Sequence, residues 1–189
     1  MQLWRLTRNR YGRAAYEALG RLGVTATSMI EYVATLEGEQ DETPRDGNEL
    51  TVEQVQPDRV ASLDAPTTEL LGDETVIAAL DGNTPVGYLF LSVDTRHNIR
   101  PLERTLAFGG GYVRRVFVDP AHRNRGVATA MVETALRRAR SAGVDSVTAL
   151  VAIDNVPSRS LFERHGFEPT HKRRYVRIGP FSHRAVTEV

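Results

Sequence analysis

The chain has 189 residues, 41% of them hydrophobic, with 24 Lys+Arg balanced by 24 Asp+Glu and no cysteine. That length suits one domain with a sizeable core, and the balanced charge removes any global pull toward nucleic acid or an anionic membrane. The lack of cysteine excludes disulfides, thiolate metal sites and an acyl-cysteine intermediate.

Leu3-Trp4 is followed at once by Arg5, Arg8, Arg10 and Arg13, so no signal peptide is read. No apolar run reaches membrane-spanning length, and a cytoplasmic protein is expected. The spacing predicts a helix over Asn9–Leu22, with Tyr11, Ala14, Ala15, Ala18, Leu19 and Leu22 on one side. Ser28–Leu36 reads as strand or helix, and its β-branched and aromatic content favours strand. This opening section, residues 1–49 with a polar loop from residue 37, reads as an extension: a packing arm, a homodimer contact or a substrate-recognition element. The core domain is placed at 50–189.

Leu50–Val55 alternates as a strand, Pro57–Leu63 and Thr67–Leu71 read as short helices, and Thr75–Leu80 as a strand. Asp81-Gly82-Asn83-Thr84 is a hairpin turn into Pro85–Asp94, whose apolar residues on both faces predict a buried strand. Thr95–Gly111, with His97, Pro101 and three consecutive glycines, reads as a loop over the sheet edge or as a long surface hairpin. Tyr112–Val118 is the next strand.

Asp119-Pro120 stops that strand, because proline lacks the amide hydrogen a ladder needs. A basic turn follows, Arg123-Asn124-Arg125-Gly126, and then a helix with Val127, Ala128, Met131, Val132, Ala135, Leu136 and Ala139 on one face. Free amides in the first turn, a glycine that lets a ligand approach, and two arginines suit a phosphate or diphosphate. The bland alternative is an ordinary turn with solvated arginines. Ser146–Val151 is a further strand, Pro157 opens a helix to Arg164 with Gly166 as its cap, and Phe167 and Tyr175–Ile178 supply closing strands.

Two motifs carry a resemblance. Arg123-Asn124-Arg125-Gly126-Val127-Ala128 after Val116-Phe117-Val118 resembles the acetyl-CoA-binding motif of the GNAT superfamily of N-acetyltransferases. Asn155-Val-Pro-Ser158-Arg-Ser-Leu161-Phe162-Glu-Arg-His-Gly166-Phe167 resembles that family's second motif, and the likeness covers roughly residues 50–178. It implies an α/β (α+β) fold: a mixed, mostly antiparallel sheet with splayed central strands, flanked by helices. It implies acetyl-CoA as co-substrate, with its pantetheine arm on Val116, Phe117 and Val118. The diphosphate would lie on amides of Arg123, Asn124, Arg125, Gly126, Val127 and Ala128, with Thr129 nearby. Asn155 would bond the arm, and Ser158 and Phe162 would line its channel.

The implied reaction is direct acetyl transfer to a primary amine of a small molecule or a peptide N-terminus, with the Val118 amide as oxyanion donor. Where relatives carry a glutamate base this chain has Tyr112; Asp94, His97, Glu103 and His122 are the alternatives. Where relatives carry a proton-donating tyrosine it has Phe162, so Tyr175, water or solvent takes that part. A CoA-binding sensor without turnover is the alternative function. No metal-ligand spacing is present. The basic runs Arg137-Arg138-Ala139-Arg140 and His171-Lys172-Arg173-Arg174 read as solvated charge, so no nucleic-acid or membrane partner is expected.

Overall fold

A computed structural model of the chain describes residues 24–36, 50–70 and 74–189. The helix predicted over Asn9–Leu22 lies outside the described residues. The strands are β1 (Val24–Thr35), β2 (Leu50–Val55), β3 (Thr75–Asp81), β4 (Thr84–Ile99), β5 (Arg104–Val118), β6 (Ser146–Ala152), β7 (Glu168–Ile178) and β8 (Phe181–Glu188). The helices are α1 (Val127–Ser141) and α2 (Val156–Arg164), with short 3-10 turns at Pro57–Leu63, Thr67–Glu69, Arg100–Leu102 and Pro120–His122.

All eight described strands join one sheet in the order β2-β3-β4-β5-β6-β1-β7-β8. Neighbours are antiparallel except β5 and β6, which run parallel and pair only over Gly111–Val113 against Val147–Ala149. Beyond Val113, β5 continues for five residues to Val118 without a partner on that side, and β6 continues to Ala152. The two central strands therefore splay, as the sequence reading expects.

A bulge in β5 accompanies the splay. Phe90 pairs with Arg114 and Tyr88 with Phe117, so Arg115 and Val116 stand opposite the single residue Leu89. Arg115 has φ +58°, a left-handed conformation that costs a non-glycine residue on the order of 1–3 kcal/mol. An extra residue of this kind bends its strand and raises the local twist.

The α1 face of the sheet holds the main core. Val127, Met131, Val132, Ala135, Leu136 and Ala139 meet Ile77, Leu89, Leu91 and Val113, while Leu161, Phe162 and Phe167 join Ile30 and Tyr32 in the same cluster. Gly87 lets α1 sit low on β4: a Cβ there would stand 2.9 Å from the Phe117 carbonyl oxygen and 3.1 Å from Met131 Cε. On the opposite face Val60 from the first 3-10 turn covers Val76, Ala78, Leu80, Tyr88 and Phe90.

Two boundaries differ from the sequence reading. The core does not start at Leu50: β1, set there in an N-terminal extension, occupies an interior slot between β6 and β7. Its inward residues Ile30, Tyr32 and Ala34 are buried among the helices. Thr95–Gly111 is not a loop; Thr95–Ile99 pairs with Arg104–Phe108 as the outer part of the β4–β5 hairpin, the second of the two readings. This arm packs Ile99, Leu102, Leu106 and Phe108 against Tyr112 and Tyr175, with Met29 and Leu150 at the margin. Glu103 at its tip accepts from the Tyr175 hydroxyl and pairs with Arg177 at 3.2 Å, which ties the arm to β7.

No described helix is long and apolar enough to cross a membrane.

Candidate acyl-carrier site

A groove of about 510 Å³ opens where β5 leaves β6. Val116 and Val118 form its floor, the turn and first residues of α1 one wall, and Pro157, Ser158, Leu161 and Arg164 of α2 the other. The charged and titratable lining, His122, Arg123 and Arg164, is basic, which suits an anion.

The β5 backbone is turned the right way. The Asp119 amide donates to the Val86 carbonyl on β4 at 2.8 Å. Because bonding direction alternates along a strand, Phe117 faces β4 as well, and Val116 and Val118 present their amides and carbonyls to the open side. Arg123 Nε donates to the Val118 carbonyl across that side at 3.0 Å.

Local chemistry shapes the turn. The Asp119 carboxylate accepts from the Ala121 amide at 2.8 Å and starts a 3-10 turn on Pro120. Asn124 and Gly126 take left-handed backbones, φ +60° and +78°. Gly126 is the N-cap of α1 and has no side chain to cap it, and the first helical bond runs from the Ala130 amide to the Gly126 carbonyl. The amides of Val127, Ala128 and Thr129 are thus left to an outside acceptor, at the positive end of a 15-residue helix.

Of the residues read from sequence, the groove gathers Val116, Val118, Arg123, Asn124, Gly126, Val127, Ala128, Thr129 and Ser158. Others lie outside its lining. The Phe117 ring stacks on Tyr88, centroids 5.4 Å apart, on the sheet face away from α1. Arg125 is exposed. The Asn155 carboxamide oxygen accepts from the Ser158 amide at 3.4 Å, so it caps α2. Phe162 is 3% exposed and meets Phe167 edge-on, so its ring belongs to the core rather than to a channel wall. Pro157, Leu161 and Arg164 complete the wall; their i, i+4, i+7 spacing marks one helix face and was the signal available.

The proton-transfer candidates fare differently. Tyr112 is buried on the face opposite α1, its ring stacked on Phe108 at 3.9 Å. Burial pushes its phenol far up, so it holds its proton at neutral pH. The Asp94 carboxylate accepts from the Gly110 amide, and Glu103 is the tip latch of the hairpin arm. That latch also engages the Tyr175 hydroxyl. His97 is buried, with Nε2 3.3 Å from both Ser92 Oγ and Glu74 Oε1. Both of these contacts fall on the same ring nitrogen. His122 lines the groove and lies 3.5 Å from Asp119 and 3.6 Å from Asp81.

Burial is also the largest cause raising the phenols of Tyr32 and Tyr88. A folded pKa above the ordinary 10.0 means the folded state holds its proton more tightly. This contribution to stability is complete below pH 10 and is lost as pH rises through the folded values. Absorbance titration at 295 nm is expected to show at least one phenol ionising only together with unfolding; normal titration of every tyrosine in the folded protein would contradict the burial.

A sheet forked at its centre beside an uncapped helix start is a frame that suits an extended ligand with an anionic end. A family model described as "Acetyltransferase (GNAT) family" matches residues 34–167, and the chain belongs to that family.

A Bacillus subtilis (strain 168) protein named "Putative phosphinothricin acetyltransferase YwnH" is 40% identical over 52 residues, 28% of this chain and 32% of its own length. The matched segment thus spans about a third of that relative. A GCN5-related N-acetyltransferase from Sphaerobacter thermophilus superposes with TM-score 0.52 at 14% identity, over 94% of this chain and 57% of that one. AAC(6')-Iy, in complex with the bisubstrate analogue CoA-S-monomethyl-acetylneamine, superposes with TM-score 0.50 at 15% identity, over 63% of this chain and 90% of that one. At these identities the structural likeness is one of fold.

Proposed function

We propose that the protein is an acetyl-CoA-dependent N-acetyltransferase acting on a primary amine. The observation that carries this reading is the meeting, in one groove, of the outward-facing Val116 and Val118 backbone with the uncapped amides of Val127–Thr129. The first suits an extended pantetheine arm, which pairs with it as an added strand. The second, with Arg123, suits a diphosphate. The family and the CoA analogue held by AAC(6')-Iy support the same carrier.

In the reaction the neutral amine nitrogen attacks the thioester carbonyl carbon. The carbonyl oxygen becomes an oxyanion, stabilised by the Val118 amide. The C–S bond then breaks, the thiolate takes up a proton, and the amine loses one. Tyr112 and Tyr175 are engaged elsewhere, which favours water as the proton carrier.

The test is calorimetry with CoA, ATP and NAD, followed by detection of free thiol from acetyl-CoA in the presence of an amine panel. CoA is expected to bind in preference to the others and the thiol to be released. Gly126→Asp keeps a residue that tolerates the left-handed backbone but sets a carboxylate against the diphosphate. It is expected to weaken CoA binding by about tenfold or more. Lack of CoA binding by the unaltered protein would refute the reading. Binding without thiol release across a broad panel would favour the sensor instead.

A further inference from the structure

The bulge in β5 places Arg114 and Arg115 side by side, and two acids from one short segment grip them. Arg114 Nε and Nη2 donate to the two oxygens of Glu74, each at 2.6 Å, and Nη2 also reaches the Glu69 carbonyl at 3.1 Å. The Arg114 guanidinium lies 4.9 Å from the centre of the Phe90 ring. Glu74 is fully enclosed and Arg114 nearly so, with side-chain exposures of 0% and 13%. Arg115 Nη2 donates to Glu69 Oε2 at 2.9 Å, and Glu69 Oε1 holds Arg100 at 3.0 Å.

Arg115 itself is about half exposed. Burial of its side chain therefore does not hold its backbone in the left-handed turn. What over-determines that turn is the fixing of both flanks: Arg114 by Glu74 before it, and Phe117 by its stack on Tyr88 after it. A planar, two-pronged Arg–carboxylate contact fixes orientation as well as distance, which a point charge does not.

We propose that Glu74, acting through Arg114, is a positioning residue: it holds the bulge open and keeps the Val116 and Val118 backbone aimed into the fork. This rests on the reading that the fork takes the arm of acetyl-CoA. Glu69 supplements the clamp from the exposed side. The spread of β5 from β6 is in this view set from the face away from α1.

Arg114→Lys tests it, since lysine keeps the charge and loses the second prong. It is expected to remain folded, bind CoA about tenfold more weakly and raise KM for acetyl-CoA more than it lowers kcat. Adding Arg115→Gly removes the backbone strain the clamp opposes, because glycine adopts a positive φ freely. The double variant is expected to recover most of the lost affinity. In ligand-free protein, NMR contacts between the Tyr88 and Phe117 rings are expected to weaken in Arg114→Lys and return in the double variant. Unchanged ring contacts and CoA affinity in folded Arg114→Lys would overturn the proposal, as would failure of glycine to restore either. If the unaltered protein bound no CoA, the functional reading would fall, and the ring contacts would still decide whether the clamp holds the bulge.

Discussion

A chain beginning at Leu50 is expected not to fold. The prediction follows from the slot β1 occupies. On one side Met29–Thr35 pairs with Ser146–Ala152, and on the other Val24–Val33 pairs with Glu168–Ile178. Deleting β1 would leave β6 and β7 too far apart to pair and strand backbone donors and acceptors along both. It would also remove Ile30, Tyr32 and Ala34 from beneath α2, where Tyr32 has no exposed surface and its hydroxyl donates to Glu163 and accepts from Arg159. Losing Ile30 and Tyr32 alone forfeits burial worth about 1.5–3 kcal/mol per large apolar side chain, against a total domain stability of about 5–15 kcal/mol. Far-UV circular dichroism and a urea titration of the 50–189 fragment should show no cooperative transition. A sharp two-state curve would mean that the sheet closes without this strand.

The second large effect is expected at Glu74. Glu74→Gln removes the charge facing Arg114 while keeping the shape, so a guanidinium with only 13% exposure loses its counter-ion. Removing one member of an enclosed ion pair costs about 3–5 kcal/mol, because the survivor stays desolvated. For a domain of this size that amounts to a fall in Tm on the order of 10 °C. Glu69→Gln breaks contacts in which Arg100 is 77% and Arg115 48% exposed, and solvent screens such pairs to about 0–1 kcal/mol. Thermal melts of both variants check the contrast; equal shifts would show that enclosure is not what makes Glu74 matter.

Local patterns were legible in the sequence. The unbroken apolar run of β4, the 3.6-residue stripe of α1, Pro120 as a strand stop and Gly126 as a helix opener each act within a few residues, and each lies where expected. The groove followed from them, because β5, the turn and α1 are consecutive. Features that depend on distant partners were not legible. Ser28–Leu36 carried a strand signal, but nothing in those residues names β6 and β7 as neighbours. The outer hairpin alternates buried and exposed residues, yet the buried positions Thr95 and His97 are polar, which hid the period. The left-handed turn at Arg115 gave no warning, since glycine is its usual mark and here side-chain contacts hold an arginine there. Phe162 was read as a channel residue from its motif position, and only packing against Phe167 reveals that its ring turns inward.

The place of β1 also dictates an order of assembly on the ribosome. The β3–β4 and β4–β5 hairpins form between chain neighbours and can zip up as they emerge. The berth for β1 gains its first wall once Ser146–Ala152 has been synthesised and its second with Glu168–Ile178. The earliest-made of the described strands must therefore wait, with Ile30 and Tyr32 bare, for partners that are synthesised much later.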